Sequence, residues 1–278
     1  MRSLWLVLCV LIAACGEQQS PQQMQDVRIA TTSPAVGIML RDFNAQSLAV
    51  GRSGYDVALD PALPVVGDAA GIDLERLSLL GATHVYVETG ASAAPAGLRE
   101  LADDVGFELV TFELTNMAQL EELAGRVHGL VASHVDAGPE PSELFASALE
   151  RDDTLAGAGR VLLLMPGNPP AALGPGSVHH EVLLAIGGAA AVGDGRPYMP
   201  LDAEDVIELS PDAIVLLAPG EERSWRQLLG PLAELPVPAI EAGRVAVLRD
   251  DEVLMASTST LRYADELRRL LEAWARGL

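Results

Sequence analysis

The sequence contains no lysine, so all 18 of its basic residues are arginines. Against 39 acidic residues, these arginines leave a formal net charge of −21. A surface of this charge repels the phosphates of nucleic acids, which argues against a nucleic-acid-binding role. The absence of lysine beside abundant alanine, glycine and arginine indicates a GC-rich genome rather than a function.

The sequence is also poor in cysteine and in catalytic motifs. Its two cysteines, Cys9 and Cys15, both lie in the first 15 residues, so the rest of the chain forms no disulfides. A chain of this length can bury a core large enough to fold without them. It holds no G-x-S-x-G elbow, no H-E-x-x-H, no cysteine nucleophile and no phosphate-binding loop. We therefore predict that the protein is not an enzyme.

An apolar run at the N-terminus covers residues 4–14. This run is shorter than the ~20 residues that span a bilayer, and it follows an arginine, so residues 1–14 are predicted to be an export signal. The ending "LIAAC" resembles a bacterial lipobox, which predicts that Cys15 carries lipid; the alternative is a plain signal peptide with a stray cysteine. Residues 15–26 are polar and aperiodic, as in a tether.

Strand-like runs alternate with helical patterns along the rest of the chain, which predicts two α/β lobes with mostly parallel sheets. The runs are "VRIATT", "SLAVG", "HVYVE" and "ELVTFE", and then "RVLLLM", "DAIVLLA" and "RVAVL". Prolines and glycines separate the two sets. We expect an N-terminal lobe at 27–138, a connecting helix at 139–159 and a similar C-terminal lobe at 160–278.

One helix-to-strand unit is written twice, as "IDLERLSLLGATHVYV" at 72–87 and "LDAEDVIELSPDAIVL" at 201–216. Each copy begins with a polar turn that can cap a helix, continues as a short helix and ends in a β-rich run. Glu75 and Glu204 occupy matching places in the two copies. Chance can produce such a match in any α/β protein, but two similar lobes would also produce it.

The ordered tracts of the chain resemble the substrate-binding proteins of ABC importers for iron-siderophores, haem and cobalamin, of the class III type with one connecting helix. The tracts are "RIATTSPAVGIML", "LAVGRSGYD", "LPVVGDAAGIDLERLSLLGATHVYV", "GNPPAALGPGSVHHEVLLAIGGAAAVG" and "YMPLDAEDVIELSPDAIVLL". The resemblance implies a ligand cleft between two lobes and an exported, lipid-anchored monomer that delivers a metal chelate to a membrane permease. One departure is Gly37, near a position where the family often has a glutamate.

The resemblance also implies a role for Glu75 and Glu204, because each lobe in this family presents a glutamate to arginines of the permease. Matching sites on two lobes suit a two-fold symmetric permease. The alternative is that each glutamate merely favours its helix dipole from the first turn.

Ligand-facing side chains in such a fold come from the loops that follow strands. The candidates here are Ser33, Arg52, Tyr55, Glu88, Asn168, His179, His180, Tyr198, Glu222 and Asp251. In "GPGSVHHE", Ser177 can cap a helix, and one of the two histidines is expected to face the cleft. Tyr55 and Tyr198 are either axial haem ligands or cleft-lining aromatics. Arg52 is either a partner for a ligand carboxylate or a surface charge.

The identity of the ligand stays open between haem, a ferric siderophore and a cobalamin-like chelate. Where cobalamin-binding members of the family have large aromatics, this chain has Ala69 and Ala171, which disfavours cobalamin. No bound cofactor or resident metal is expected. Two alternatives remain: a binding protein for free Zn or Mn ions, and an envelope lipoprotein that keeps the fold without transporting anything.

Overall fold

The computed structural model of the protein describes residues 26–68, 71–89 and 95–277. The predicted export signal, the predicted lipidation site Cys15 and nearly all of the predicted tether lie outside these residues, as does Ala69. Within them, no helix has the length and apolarity that crossing a bilayer requires.

The first sheet is built only from residues that precede 113. Its strands lie in the order β4-β3-β2-β1-β5-β6, and every neighbouring pair is parallel except β3 with β4. The strands are β1 Ile29–Thr31, β2 Ala49–Ser53, β3 Val65–Asp68, β4 Gly71–Ile72, β5 His84–Glu88 and β6 Glu108–Phe112. The helices between them are α1 Pro34–Asp42, α2 Leu74–Leu79 and α3 Ala96–Val105.

Two helices follow this sheet in the chain, α4 Met117–Val131 and α5 Pro141–Ala148. They are succeeded by a short 3₁₀ helix, Asp153–Ala158, so the single helix that we predicted at 139–159 is in fact two short ones. The break falls between them because the Asp152 carboxylate accepts the Thr154 N–H and starts the second.

The second sheet uses only residues from 160 onward, in the order β10-β8-β7-β11-β12, with β9 paired to β7. Pairs that include β8 are antiparallel and the others are parallel. Its strands are β7 Arg160–Met165, β8 Ala171–Leu173, β9 Ala189–Ala190, β10 Tyr198–Pro200, β11 Ala213–Leu217 and β12 Val245–Leu248. Its helices are α6 Val178–Ala185, α7 Ala203–Leu209, α8 Trp225–Leu229, α9 Pro238–Glu241 and α10 Thr260–Ala275. Two mostly parallel sheets with helices confirm the predicted α/β class.

The two halves share one apolar core. Helix α4 packs against α1 of the first half and α6 of the second. Buried side chains from α1, α4, α5, α10 and both sheets form a continuous cluster, which includes Phe43, Leu120, Phe145, Leu163 and Leu267. Each half also has a smaller cluster of its own. Since apolar burial is the main stabilising term in folding, the shared core holds the halves together.

A polar cluster also joins the halves, between the end of α1 and the loop after β12. We call Arg41, Asp42, Glu252, Thr258 and Arg262 the Glu252 cluster. The Glu252 carboxylate accepts hydrogen bonds from Arg41 and Arg262, and the Thr258 hydroxyl donates to Asp42 at 2.6 Å. Burial alone would raise the pKa of Glu252, but its two arginine partners outweigh that effect and lower it.

Candidate functional site

The carboxyl ends of β1 and β5 bring Ser33 and Glu88 together. Ser33 caps α1 by accepting the Ala35 N–H, and its hydroxyl donates to Glu88 Oε2 at 2.6 Å. Because β1 and β5 are adjacent parallel strands, the residues that follow them lie at the same edge of the sheet. Ser33 is buried, whereas Glu88 is exposed.

Arg52 and Tyr55 lie near the same edge, at the end of β2. The Arg52 guanidinium donates to the Ser53 and Pro61 carbonyl oxygens, at 3.0 Å each, so it braces the loop that it enters. Tyr55 is 60% exposed on that loop. The structure thus places Tyr55 as a surface aromatic and Arg52 as a half-buried brace.

Asp56, which the sequence reasoning did not identify, closes the same loop onto α1. Its Oδ1 accepts the N–H groups of Ala58 and Leu59 at 2.9 and 2.7 Å, while its Oδ2 is buried without a hydrogen-bond partner. A Cβ on Gly37 would lie 1.8 Å from that oxygen. Glycine at position 37, the departure seen in the sequence, therefore makes room for the carboxylate that packs on it.

A cavity of about 870 Å³ lies in the second half, at the carboxyl ends of β7 and β11. Its walls are mainly apolar and rich in proline, with Pro166, Pro169, Pro170, Pro219 and Pro231 among them. Asn168, on the loop after β7, is one of its polar side chains; others are Asp202, Glu221, Arg223 and Gln227. An apolar concavity with a few polar groups is the usual form of a small-molecule site.

The charged groups beside this cavity are fixed by an ion pair and by hydrogen bonds to the backbone. Glu221 forms an ion pair with Arg223 at 2.5 Å, which lowers the pKa of the Glu221 carboxyl to about 2. Arg249 donates to the carbonyl oxygens of Glu221, Arg223 and Val247 at 2.7, 3.1 and 3.2 Å. The loop after β11 is consequently cross-braced.

Tyr198 lies at the start of β10, in the second half. Its side chain is 55% exposed, and the pKa of its phenol is raised by partial burial and then by the Glu88 carboxylate. The second effect links two predicted residues that come from opposite halves. Ser33 and Glu88 belong to the first half's part of the candidate site, and Tyr198 belongs to the second half's part.

His179 and His180 are both buried, at 4% and 6% exposure. His179 Nε2 lies 2.7 Å from the Val253 carbonyl oxygen and His180 Nε2 lies 3.1 Å from that of Val192. Burial lowers the pKa of His179. Both rings lie in the interior of the second half, which corrects the expectation that one of them faces a ligand. The described residues include no group of three or more metal-ligating side chains.

The repeated unit takes the same form in both halves. Asp73 caps α2 and Asp202 caps α7. Each helix follows a strand that is antiparallel to its neighbour, β4 or β10. Glu75 and Glu204 are exposed in the first turns of the two helices. The two glutamates thus occupy equivalent surface positions.

No family model and no curated protein matches the chain. Solved structures do match it. The haem-binding protein HutB of Vibrio cholerae is 19% identical with a TM-score of 0.65, over 89% of this chain and 99% of that one. The vitamin B12-binding protein BtuF of Vibrio cholerae is 18% identical with a TM-score of 0.67, over 89% and 97%.

A siderophore-binding protein from the fuscachelin gene cluster of Thermobifida fusca is 18% identical with a TM-score of 0.68, over 90% and 98% of the two chains. The chain has the class III substrate-binding-protein fold. In this class III arrangement each sheet with its helices is one lobe. The strand ends that carry Ser33 and Glu88, together with the apolar cavity of the second half, mark the candidate ligand site.

Proposed function

We propose that this protein is the extracytoplasmic substrate-binding component of an ABC importer, which captures a metal chelate and delivers it to a membrane permease. The observation that carries this proposal is the apolar cavity of about 870 Å³ at the carboxyl ends of β7 and β11, in a fold of two α/β halves. Haem, vitamin B12 and siderophores are the ligands named for the structural neighbours. Haem, a ferric siderophore or a cobalamin-like chelate is accordingly the cargo that we assign.

The proposal includes the organisation of the whole chain. Residues 1–14 direct export, Cys15 carries lipid, and residues 15–26 tether two lobes at 27–138 and 160–278. The protein acts as a monomer at the cell envelope.

Docking onto the permease is assigned to Glu75 and Glu204. Both side chains are exposed, and they occupy equivalent positions on α2 and α7. Equivalent positions on two similar lobes suit a permease with two-fold symmetry.

The ligand contacts that we assign are Tyr55, Glu88, Asn168 and Tyr198, and Arg52 shapes the loop that presents Tyr55. Tyr55, Glu88 and Asn168 lie at or after the carboxyl ends of strands, where ligands bind in open α/β sheets. Tyr198 is included because it is an aromatic side chain, 55% exposed, at the start of β10. His179 and His180 are left out because their rings are buried against backbone carbonyls.

A thermal-shift screen of the mature domain tests the proposal. The probes are haemin, cyanocobalamin, a ferric hydroxamate and, separately, Zn²⁺ and Mn²⁺. At least one chelate is expected to raise the melting temperature, because a ligand that binds only the native state stabilises it. A shift with a free ion and with no chelate would instead identify a metal-ion-binding protein.

Variants then localise the site. Tyr198→Ala is expected to weaken chelate binding by roughly 1–3 kcal/mol if a buried polar partner is left unpaired. Ile207→Ala, on the exposed surface of α7, is the control and keeps full affinity. Equal affinity in both variants would place the ligand elsewhere.

A further inference from the structure

We propose that the chelate bound by this protein is neutral or cationic rather than anionic. This inference rests on the proposed function and specifies the class of ligand that the same site takes. It stands on two observations. The arginines near the candidate site already contact other groups of the protein, and carboxylates at the strand ends are exposed.

In the first half, the arginine at this edge is Arg52. Two of its nitrogens donate to the carbonyl oxygens of Ser53 and Pro61, and its Nε, which has no partner, is buried. Both hydrogen bonds hold the guanidinium against its own loop. The strand end that it occupies therefore presents a braced loop rather than a mobile positive charge.

In the second half, three arginines lie close to the cavity and each has a partner. Arg223 pairs with Glu221, Arg249 is bonded to three backbone carbonyls, and Arg226 stacks on the ring of Trp225 at 4.1 Å. Arg223 and Glu221 both line the cavity, so as a pair they contribute little net charge to it.

Two further arginines of this half belong to a different concavity. Arg160 and Arg196 line a hollow at the amino end of β7, together with the acidic residues Asp194, Asp205 and Glu208. The large cavity lies at the carboxyl end of the same strand. These two arginines therefore line a hollow other than the cavity of the proposed cargo, beside three acidic residues.

Carboxylates are present at the strand ends without cationic partners. In the part of the chain that the structure describes, Glu88, Glu222 and Asp251 are exposed and form no ion pair. They follow or end β5, β11 and β12. These three carboxylates place negative charge at strand ends of both halves.

Residues 69–70 and 90–94 add no charge, because they contain only alanine, glycine and serine, and the chain has no lysine. An anionic chelate would approach against the field of a protein whose net charge is −21. Desolvating a charge without a counter-ion is costly, whereas a neutral or cationic chelate avoids that cost.

A matched series of ferric trihydroxamates tests the inference, because its members share one metal core and differ in charge. The series is ferric desferrioxamine B, which is cationic through its free amine, its N-acetyl derivative, which is neutral, and its N-succinyl derivative, which is anionic. Cyanocobalamin and haemin provide a second neutral and anionic comparison. Affinities for the mature domain are measured by calorimetry at low ionic strength.

The anionic hydroxamate is expected to bind at least about tenfold more weakly than the cationic one, and roughly 0.5 M salt is expected to narrow the gap. Glu88→Gln should also narrow this difference in affinity between the cationic and anionic hydroxamates. Glu143→Gln, which removes an exposed carboxylate from α5, is the matched control and leaves the gap unchanged.

The outcomes separate the two proposals. Binding of haemin alone, or equal or tighter binding of the anionic hydroxamate, would overturn the charge preference while leaving the importer function intact. Binding of cyanocobalamin alone supports the preference. If none of these chelates binds, the proposed function fails, and the charge preference fails with it.

Discussion

His179 is a buried base whose two ring nitrogens have different surroundings. Its Nε2 faces the Val253 carbonyl oxygen at 2.7 Å, so this nitrogen carries the proton. Its Nδ1 is buried without a partner, and the ring of Tyr263 packs edge-on against the imidazole. Protonating Nδ1 would place a charge in this interior, which is why burial lowers the pKa of the residue.

This arrangement predicts that the fold loses stability as the pH falls below about 6.5, the ordinary pKa of histidine. A lowered pKa means that the unfolded state binds the proton first, so acid favours unfolding, with a slope of up to about 1.4 kcal/mol per pH unit for one proton. His179→Gln keeps a donor for the Val253 carbonyl but does not titrate. Urea denaturation at several pH values should give this variant a flatter slope.

The control for that measurement is Ser142→Gln, which places the same side chain at an exposed, non-titrating position of α5. It should leave the slope as it is in the parent protein. An unchanged slope in His179→Gln would show that another group, such as His84, whose pKa burial also lowers, governs the acid sensitivity.

The histidines also show where sequence reasoning stops at the scale of a residue. The motif around Ser177 correctly predicted a helix cap, because capping depends on neighbours in sequence. It could not predict which side of α6 is buried. That helix packs against α4, α10 and β9. His179 lies against Val253 and Tyr263, far away in the chain, and His180 lies against Val192, so both rings are buried.

At the scale of an element, Ser33 ties the start of α1 to the end of β5. Ser33→Ala removes the cap and the hydrogen bond to Glu88 together. We expect it to lower the free energy of unfolding by about 1–2 kcal/mol, the upper part of the range for a lost cap. Ser224→Ala, which removes an exposed cap from α8, should cost less. Urea denaturation compares the two variants. Equal losses of unfolding free energy would mean that the hydrogen bond from Ser33 to Glu88 adds no stability.

Short-range signals predicted the repeated elements well. The capping turns, the helices α2 and α7 and the strands β5 and β11 all form where the pattern placed them. Ser210, which precedes a proline, ends α7 in a left-handed conformation. The connecting helix does not form as one piece: residues 149–151 favour a helix by composition, but the Asp152 cap begins a new helix directly after them.

At the scale of the whole molecule, the Glu252 cluster is a polar joint between the halves. Glu252→Gln removes one anion that Arg41 and Arg262 share and leaves Asp42 as their remaining common partner. Losing one partner of a buried pair costs about 3–5 kcal/mol, but these two arginines are 29% and 44% exposed, so we expect about 1–3 kcal/mol. Urea denaturation at neutral pH measures the loss. A change no larger than that of Glu143→Gln would contradict it.

The same joint has its own pH window. Because the pKa of Glu252 is lowered in the fold, its stabilisation is present above the ordinary pKa of a glutamate and is lost as the pH falls through the lowered value. The parent protein and Glu252→Gln should therefore converge in stability only in strong acid, well below the range in which His179 acts.

Glu75 and Glu204 yield a prediction about transport. Under the proposed function, the double variant Glu75→Ala, Glu204→Ala should bind the chelate normally, because neither glutamate is an assigned ligand contact. It should fail to deliver the chelate, because both exposed side chains on α2 and α7 are the proposed contacts to the permease. Each single variant should be mild, since one rim charge contributes modestly and mainly to association. The measurement is uptake of labelled ligand by permease-containing liposomes beside a binding assay. Normal uptake by the double variant would mean that the two glutamates only interact favourably with the dipoles of their helices.

The two-lobed fold was predictable because each sheet draws on one continuous stretch of chain. The core that the halves share was not, since it joins residues as distant as Phe43 and Leu267. The candidate site was likewise predictable only in part. The position of Glu88 at a strand end suggested this residue, whereas the packing of Asp56 against Gly37 is a tertiary contact that no local sequence pattern indicates.

Helix α10 packs against α5, α6 and the 3₁₀ helix Asp153–Ala158. All strands of both sheets therefore precede α10 in the chain. Until α10 has been synthesised, the apolar surfaces of α5, α6 and the 3₁₀ helix that it contacts stay exposed. A chain that ends at residue 259 should fold its strands yet bind a hydrophobic dye and attract proteases at 141–158. We therefore expect chains that are cut short before α10 to aggregate or to be degraded.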